Sequence, residues 1–432
     1  MNKKIFSNSL WMMSEKIISI FGLIFVTSFV AKYVGPEIFG NIALAMSIFQ
    51  LIQLVSQMGT DVLIFKRLSK NSVSGVNLIN VTVPVRALVY LFLSAPVLGY
   101  QLYHIDESGI YYVVAAFIAC FIQSMDVYTI YYDATLNSKV NTFVNVLGLV
   151  VSLLVRWIVA FLMLDPRWLC VPIILAPLIP CVIRLTYYLQ TTTRRTISVR
   201  FRKKYVRYVI GAGSSFVISS LSVAIYTRLS LLTLGFFDGK SAVGVYSIAA
   251  TLATSWSFIL NSIVTSSLPS IFSELRHDIA LKKTAKLNLI VMMISFPVII
   301  GVFLLGQWFI DFFYGTLYSE SFLPLIILTF STMFGALGTV SARFIAKYSG
   351  YGFLSKKMLL VALVSVIINI IFIYFYGIVG AAFANVLTQF LSLTVFNYTF
   401  KRGLVLKMHR STFSLEVLRE IYSLIKRHKL KQ

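Results

Sequence analysis

The stretch Lys32–Asp61, KYVGPEIFGNIALAMSIFQLIQLVSQMGTD, decides how the chain is read. Within it, Val34-Gly35-Pro36-Glu37-Ile38-Phe39-Gly40 is a tight break between two long apolar runs. Pro36 fixes φ and lacks a donor, while Gly35 and Gly40 accept backbone angles that other residues avoid. The run after the break carries Gln50, Gln53, Gln57 and Asp61, which fall within roughly a quarter-turn of one another on a 3.6-residue helix. The stretch therefore reads as a helical hairpin whose second helix is hydrophobic apart from one wet face.

Composition extends this reading to the whole chain. Of 432 residues, 58% are hydrophobic and 12% charged, which is membrane composition. Runs long enough to cross a core about 30 Å thick at about 1.5 Å per residue predict twelve spans: 10–34, 39–65, 78–103, 110–136, 142–164, 169–190, 208–237, 243–273, 287–312, 321–346, 358–376 and 380–400. The first run lacks a small-x-small cleavage site and is expected to remain as a span.

The net charge of +23 is sorted by side. Starting inside, the inward segments hold 29 Lys and Arg, the outward connections hold three (Lys32, Arg167 and Lys240), and six lie within spans. The expected topology has both termini in the cytoplasm. A basic inner face suits anionic lipid headgroups and accounts for the charge without nucleic acid. Cys120, Cys170 and Cys181 sit in apolar segments without metal-ligand spacing, and His104, His277, His409 and His428 are scattered, so no metal site is expected.

The longest polar insertion, residues 191–207, separates six spans from six, and a shift of 204 residues lays the first half on the second. The turn Gly35–Gly40 then falls on 239–244, and Gln50, Gln53, Gln57 and Asp61 fall on Thr254, Ser257, Asn261 and Thr265, which also share one helical face. On span 1, Trp11 and Glu15 map onto Ser215 and Ser219 of span 7. The expected fold is thus all-α: twelve transmembrane helices in two pseudo-symmetric six-helix lobes around a central cavity. The N-lobe is 1–190, a basic cytoplasmic linker 191–207, the C-lobe 208–400, and a basic tail 401–432 is expected as an amphipathic helix on the inner surface.

Polar groups in lipid must face a bundle interior or water. The paired stripes therefore line a cavity or, alternatively, hold helices together by hydrogen bonds. Among the intramembrane charges, Arg86 and Asp126 lie at similar depth and are expected to pair. Arg184 and Arg343 are near enough to inner helix ends to snorkel, whereas Arg156 and Arg228 lie deepest. Arg228 points away from the Ser215, Ser219, Ser222, Tyr226 face of its helix. No phosphate loop, HExxH or Ser/His/Asp arrangement is present, and the outward connections are too short for a catalytic domain, so no catalytic residues are assigned.

These residues resemble the Wzx-type flippases of bacterial polysaccharide assembly, within the superfamily that also holds the multidrug MATE exporters and the lipid II flippases. The resemblance rests on Asn8-Ser9-Leu10-Trp11, Val30 to Gly40, Gly59 before Arg67, Gly244-Val245-Tyr246-Ser247, Leu268-Pro269-Ser270-Ile271, Gly306-Gln307-Trp308 with Tyr314-Gly315, and Tyr376 to Ala382. It implies transport of an undecaprenyl-pyrophosphate-linked oligosaccharide (an O-antigen or capsule repeat unit) from the inner to the outer leaflet of the bacterial plasma membrane by alternating access. It also implies possible coupling to H⁺ or Na⁺, no cofactor, and work alongside a polysaccharide polymerase and a chain-length regulator. On that implication Gln50, Gln53, Gln57, Asp61, Thr254, Ser257, Asn261 and Thr265 line the substrate path. Lys16, Arg67, Arg228 and Arg343 are pyrophosphate candidates, and Glu15, Asp61 and Asp126 are ion-coupling candidates. Such flippases typically have a cationic lumen, whereas the stripes here carry amides, hydroxyls and one carboxylate. The competing readings are a multidrug/cation antiporter of the same superfamily and, less well matched, a membrane-embedded oligosaccharide polymerase.

Overall fold

A computed structural model describes residues 3–104, 107–135, 137–192, 205–207, 228–417 and 419, among which every regular element is a helix. In chain order these are α1 (Lys3–Gln57), α2 (Thr60–Lys70), α3 (Ser72–His104), α4 (Glu107–Met125), α5 (Tyr128–Ala134), α6 (Ser138–Phe161), α7 (Cys170–Thr191), α8 (Arg228–Phe237), α9 (Gly239–Ser255), α10 (Ser257–Phe272), α11 (His277–Phe313), α12 (Phe322–Lys347), α13 (Tyr351–Leu393), α14 (Val395–Tyr398) and α15 (Leu404–Thr412).

Nine segments of the described residues are long and apolar enough to cross a membrane, which makes this a multi-pass membrane protein. Two of the nine are too long for one crossing. The apolar 40-residue segment Ile18–Gln57 would reach about 60 Å if straight, roughly twice the hydrocarbon core, and it breaks at Gly35 (φ 75°). The 48-residue segment Tyr351–Tyr398 breaks likewise at Gly377. Counted with these two internal breaks, the nine segments correspond to eleven of the twelve expected spans; of the twelfth, 208–237, only the short apolar helix α8 falls within the described residues. Large side chains such as Leu88, Phe92, Phe143, Phe303 and Leu363 stay exposed along the crossings, as a lipid-facing surface requires.

The chain divides into two compact units. Unit 1 comprises residues 1–244 with Phe313–Leu317. In it α1 packs on α3, α4 and α6, while α7 packs on α4 and α6. Gly148 lets α6 approach Pro180 of α7, where an added Cβ would stand 2.6 Å from the proline ring. The connection after α6 is tied down by Tyr33, whose hydroxyl donates to the Leu164 carbonyl at 2.5 Å, and by Asp165, which accepts from the Arg167 amide at 2.8 Å.

Unit 2 comprises residues 245–312 and 318–432. Its core is a cluster on α10, α11 and α12 built around Leu260, Val264, Val291, Leu337 and Val340. The connection after α10 is capped by lysines: Lys347 Nζ donates to the carbonyls of Phe272 (3.2 Å) and Glu274 (2.6 Å). A hydrogen bond from Lys283 holds the Glu274 carboxyl below its usual range.

The described part of the tail differs from a surface-lying helix. Val405 and Met408 of α15 are buried with Phe344, Ile345 and Phe400, so this stretch docks on unit 2 through packed side chains. His409 sits between Ser341 Oγ (3.1 Å) and the Tyr398 hydroxyl (3.2 Å), and burial pushes its pKa down to about 4. Because this lies below the ordinary 6.5, the undocked state binds more protons as the pH falls from 6.5 towards 4. Docking is therefore strongest above that window and weakens on acidification through it. Hydrogen exchange at the α15 amides, corrected for intrinsic rates, is expected to accelerate between pH 7 and pH 4.5, and His409→Gln should remove the acid-dependent part. Protection that does not change with pH would refute the assignment.

Candidate functional site

In unit 1 the polar stripe is not continuous. The helix carrying Gln50, Gln53 and Gln57 ends at Gln57, and Met58 (φ 51°) and Gly59 (φ 59°) are both left-handed before α2 begins at Thr60. A non-glycine residue in that region is strained and persists only when its surroundings hold it there. Thr60 Oγ1 donates to the Gln57 carbonyl at 2.6 Å, and Ser56 Oγ meets Ser124 Oγ of α4 at 2.6 Å. Arg86 reaches in from α3 and donates to Thr60, to Asp61 and, at 3.2 Å, to the Ser124 carbonyl. Its side chain is 2% exposed and that of Asp61 is 48% exposed. The break thus removes Asp61 from the glutamine stripe and gives it to an arginine. Gln53 and Gln57 stay half-buried, and the buried Oε1 of Gln50 has no hydrogen-bond partner among the described residues.

Arg86 therefore pairs with Asp61, not with Asp126 as expected from depth. Asp126 is held instead by Arg184 Nη2 at 2.8 Å, with Arg184 4% and Asp126 11% exposed. Arg184 does not snorkel; it donates inward to Asn141 (3.3 Å) and Asn145 (2.9 Å) on α6. Asp133 accepts from Ser138 and Asn141, each at 2.8 Å, so it belongs to the same polar cluster. Thr60, Ser124, Asn141, Asn145 and Arg184 were not singled out by sequence as site residues. Thr60 and Ser124 stand within two residues of Asp61 and Asp126, Arg184 reads only as a charge within a span, and Asn141 and Asn145 carry no sequence signal of their own. Asp61 and Asp126, two of the coupling candidates, are both arginine-bound in this structure.

In unit 2 the counterpart stripe is open. Thr254 on α9 and Asn261 and Thr265 on α10 are exposed, and Ser257 is half-buried. Thr254 satisfies its hydroxyl within its own helix, donating to the Ala250 carbonyl at 2.8 Å. An unexpected buried cation lies in the same unit: Lys357, read from sequence as part of an inward loop, is buried in α13 and donates to Asn397 of α14 at 2.9 Å.

The cations expected to meet an anion lie on four different helices. Lys16 and Arg343 are exposed, the latter near the C-terminal end of α12. Arg67 is half-buried on α2, donates to Ser74 Oγ at 2.8 Å and lies over the Tyr205 ring at 5.8 Å. Arg228 is half-buried at the start of α8, within electrostatic reach of Cys120. The side chains of Trp11 and Glu15, and residues Ser215, Ser219, Ser222 and Tyr226, lie outside the described residues. Among the described residues no group of three or more His, Cys, Asp or Glu is arranged to hold a metal.

A family model described as polysaccharide biosynthesis protein matches residues 29–323. The capsular polysaccharide biosynthesis protein CapF of Staphylococcus aureus is 26% identical over 187 residues, which is 43% of this chain and 47% of CapF, so the match spans about half of that relative. Among solved structures, the lipid II flippase MurJ in an inward closed conformation superposes with a TM-score of 0.63 at 16% identity, covering 94% of this chain and 90% of MurJ. An inward-facing multidrug resistance transporter of the MATE family in the MOP superfamily gives 0.66 at 14% identity, covering 95% and 98%. At such identities the likeness is one of fold, and that fold is all-helical, as the sequence resemblance implied.

Proposed function

We propose that this chain, which belongs to the polysaccharide biosynthesis protein family, flips a lipid-linked oligosaccharide of the undecaprenyl-pyrophosphate type from the inner to the outer leaflet, exposing its binding surface alternately to the two sides. The observation that carries the proposal is the state of the two stripes. Each unit has a membrane-crossing segment whose amide or hydroxyl side chains remain at least partly unburied: Gln53 and Gln57 in unit 1, and Thr254, Asn261 and Thr265 in unit 2. Lipid offers an amide no hydrogen bonds, so such faces belong against water or a hydroxyl-rich ligand. A sugar repeat unit supplies matching donors and acceptors. CapF, a capsular polysaccharide biosynthesis protein, and MurJ, a lipid II flippase, support a glycan carried on a lipid. In this reading exposed Arg343 and half-buried Arg67 meet the pyrophosphate as charge-assisted donors.

Cells lacking the protein are expected to lose a surface polysaccharide while its lipid-linked repeat unit accumulates on the inner side. In a cysteine-free background, Gln53→Cys and Asn261→Cys should each react with a water-soluble maleimide. Full protection of both positions in export-competent protein would mean that the stripes are interhelical contacts and would remove the proposal's basis.

A further inference from the structure

Two neighbouring spans of unit 1 are interrupted, and a third carries a proline, around one side chain. The first ends at the left-handed pair Met58–Gly59. α3 is helical throughout, and its Pro84, which lacks an amide hydrogen, removes one bond of the ladder two residues before Arg86. The other interruption lies at Asp126 and Val127, between α4 and α5. Arg86 bonds to Thr60 and Asp61 just past the first break, and to the Ser124 carbonyl just before the second. Arg184 holds Asp126, at the second break, from α7.

Past these breaks the chain forms its own packed cluster. Ile64 and Leu68 of α2 and Val76, Leu78 and Ile79 of α3 are buried together with Val127 and with Tyr188 of α7, and Tyr128, Ile130 and Tyr131 of α5 pack against them. The α2–α3 corner is closed by Gly75, where an added Cβ would stand 2.9 Å from the Leu68 Cα. These segments are tied to one another and to the end of α7 by apolar packing, the Tyr188 ring lying 4.9 Å from Tyr128 and 5.1 Å from Tyr131, whereas at the breaks the ties are polar and centre on two arginines. The cluster also carries Lys66, Arg67 and Lys70 on α2.

The geometry points to a hinged body: α2, the first turns of α3, α5 and the Tyr188 end of α7 move together about the two breaks and Pro84, and Arg86 is the positioning residue that latches them, with Arg184 of α7 supporting the break at Asp126. The half-exposed Asp61 is the releasable side of the latch, because water can solvate its carboxylate once Arg86 lets go, while nearly buried Arg86 stays with the bundle. Its use in presenting Arg67 to a lipid-linked pyrophosphate rests on the function proposed above; the hinge itself does not.

Spin-label distances read the hinge without substrate. With Cys120, Cys170 and Cys181 replaced by alanine, one pair of labels at Ser69 on α2 and Leu102 on α3 crosses the breaks, and a pair at Phe143 on α6 and Leu102 does not. The Ser69 pair is expected to give one narrow distribution in the parent protein and in Arg86→Lys. In Arg86→Gln, and to a smaller extent in Asp61→Asn, a second population should appear, displaced by about 5 Å or more, half a helix diameter. The Phe143 pair should not change. An unchanged Ser69 pair in both Arg86→Gln and Asp61→Asn overturns the latch, and so does equal broadening of both pairs, which would mean general loosening. Should glycan export prove unrelated to this protein, the distances would still decide the hinge.

Discussion

On the function proposed above, Gly40→Val and Gly244→Val are each expected to reduce polysaccharide export to the level of a strain lacking the protein. Both residues lie in unit 1, and their contact is reciprocal. A Cβ at Gly40 would overlap the carbonyl oxygen of Lys240 and stand 2.8 Å from the Gly244 nitrogen; a Cβ at Gly244 would overlap the carbonyl oxygen of Pro36 and stand 3.1 Å from the Gly40 nitrogen. The 204-residue shift turns Pro36 into Lys240 and Gly40 into Gly244, so each half of this contact is the image of the other. The clashing atoms are main chain on both sides and cannot rotate away. Overpacking ordinarily costs about 1–3 kcal/mol and more where side chains cannot yield, and here relief requires the two helix starts to separate. Gly99, where an added Cβ meets nothing within 4 Å, supplies the control: Gly99→Val should leave export close to normal. Export is measured as surface polysaccharide in a complemented deletion strain, with membrane abundance followed by an epitope tag. Normal export from Gly40→Val protein at normal abundance would show that the working protein does not depend on this approach.

That contact also indicates which parts of the molecule are legible in sequence. Gly35 and Gly239 are one repeat apart and both are left-handed, at φ 75° and 80°, so a backbone requirement has left the same residue type at equivalent positions. Span lengths and the shared helix of Gln50, Gln53 and Gln57 were readable because they depend on hydrophobic periodicity, which a helix preserves along its length. Pairing of the buried charges was not. A depth calculation assumes unbroken helices, and the break at Met58–Gly59 resets both the phase and the position of Asp61. An arginine then reaches whichever carboxylate the break brings to it. Lys357 shows a second limit: counted from the span edge it belongs to a loop, but α13 starts at Tyr351 and Asn397 of α14 receives its ammonium group. Partners of this kind come from the ends of other elements, and no local pattern encodes them.

The buried pair Asp126–Arg184 carries the largest expected effect on stability. Both side chains are almost withdrawn from solvent, at 11% and 4% exposure, yet the pair is incompletely satisfied: Asp126 Oδ1 and Arg184 Nε are buried without a hydrogen-bond partner among the described residues. Desolvation is therefore only partly offset by the 2.8 Å ion pair and the bonds to Asn141 and Asn145. Removing one partner leaves an uncompensated charge, and Arg184→Leu or Asp126→Leu alone should destabilise unit 1 by about 3–5 kcal/mol. The double variant Arg184→Leu with Asp126→Leu removes both charges and should recover most of the loss, giving a strong positive coupling in a double-mutant cycle. Asp61→Leu is the contrast. Its carboxylate is half in water, so although it leaves Arg86 unpaired, the loss should be smaller than at Asp126 and more sensitive to salt. Thermal unfolding of the purified protein in detergent, ranked across the variants, reads these differences. Single and double losses that simply add would mean that the two side chains stabilise the bundle independently, and that the pair is not what holds α7 to the break between α4 and α5.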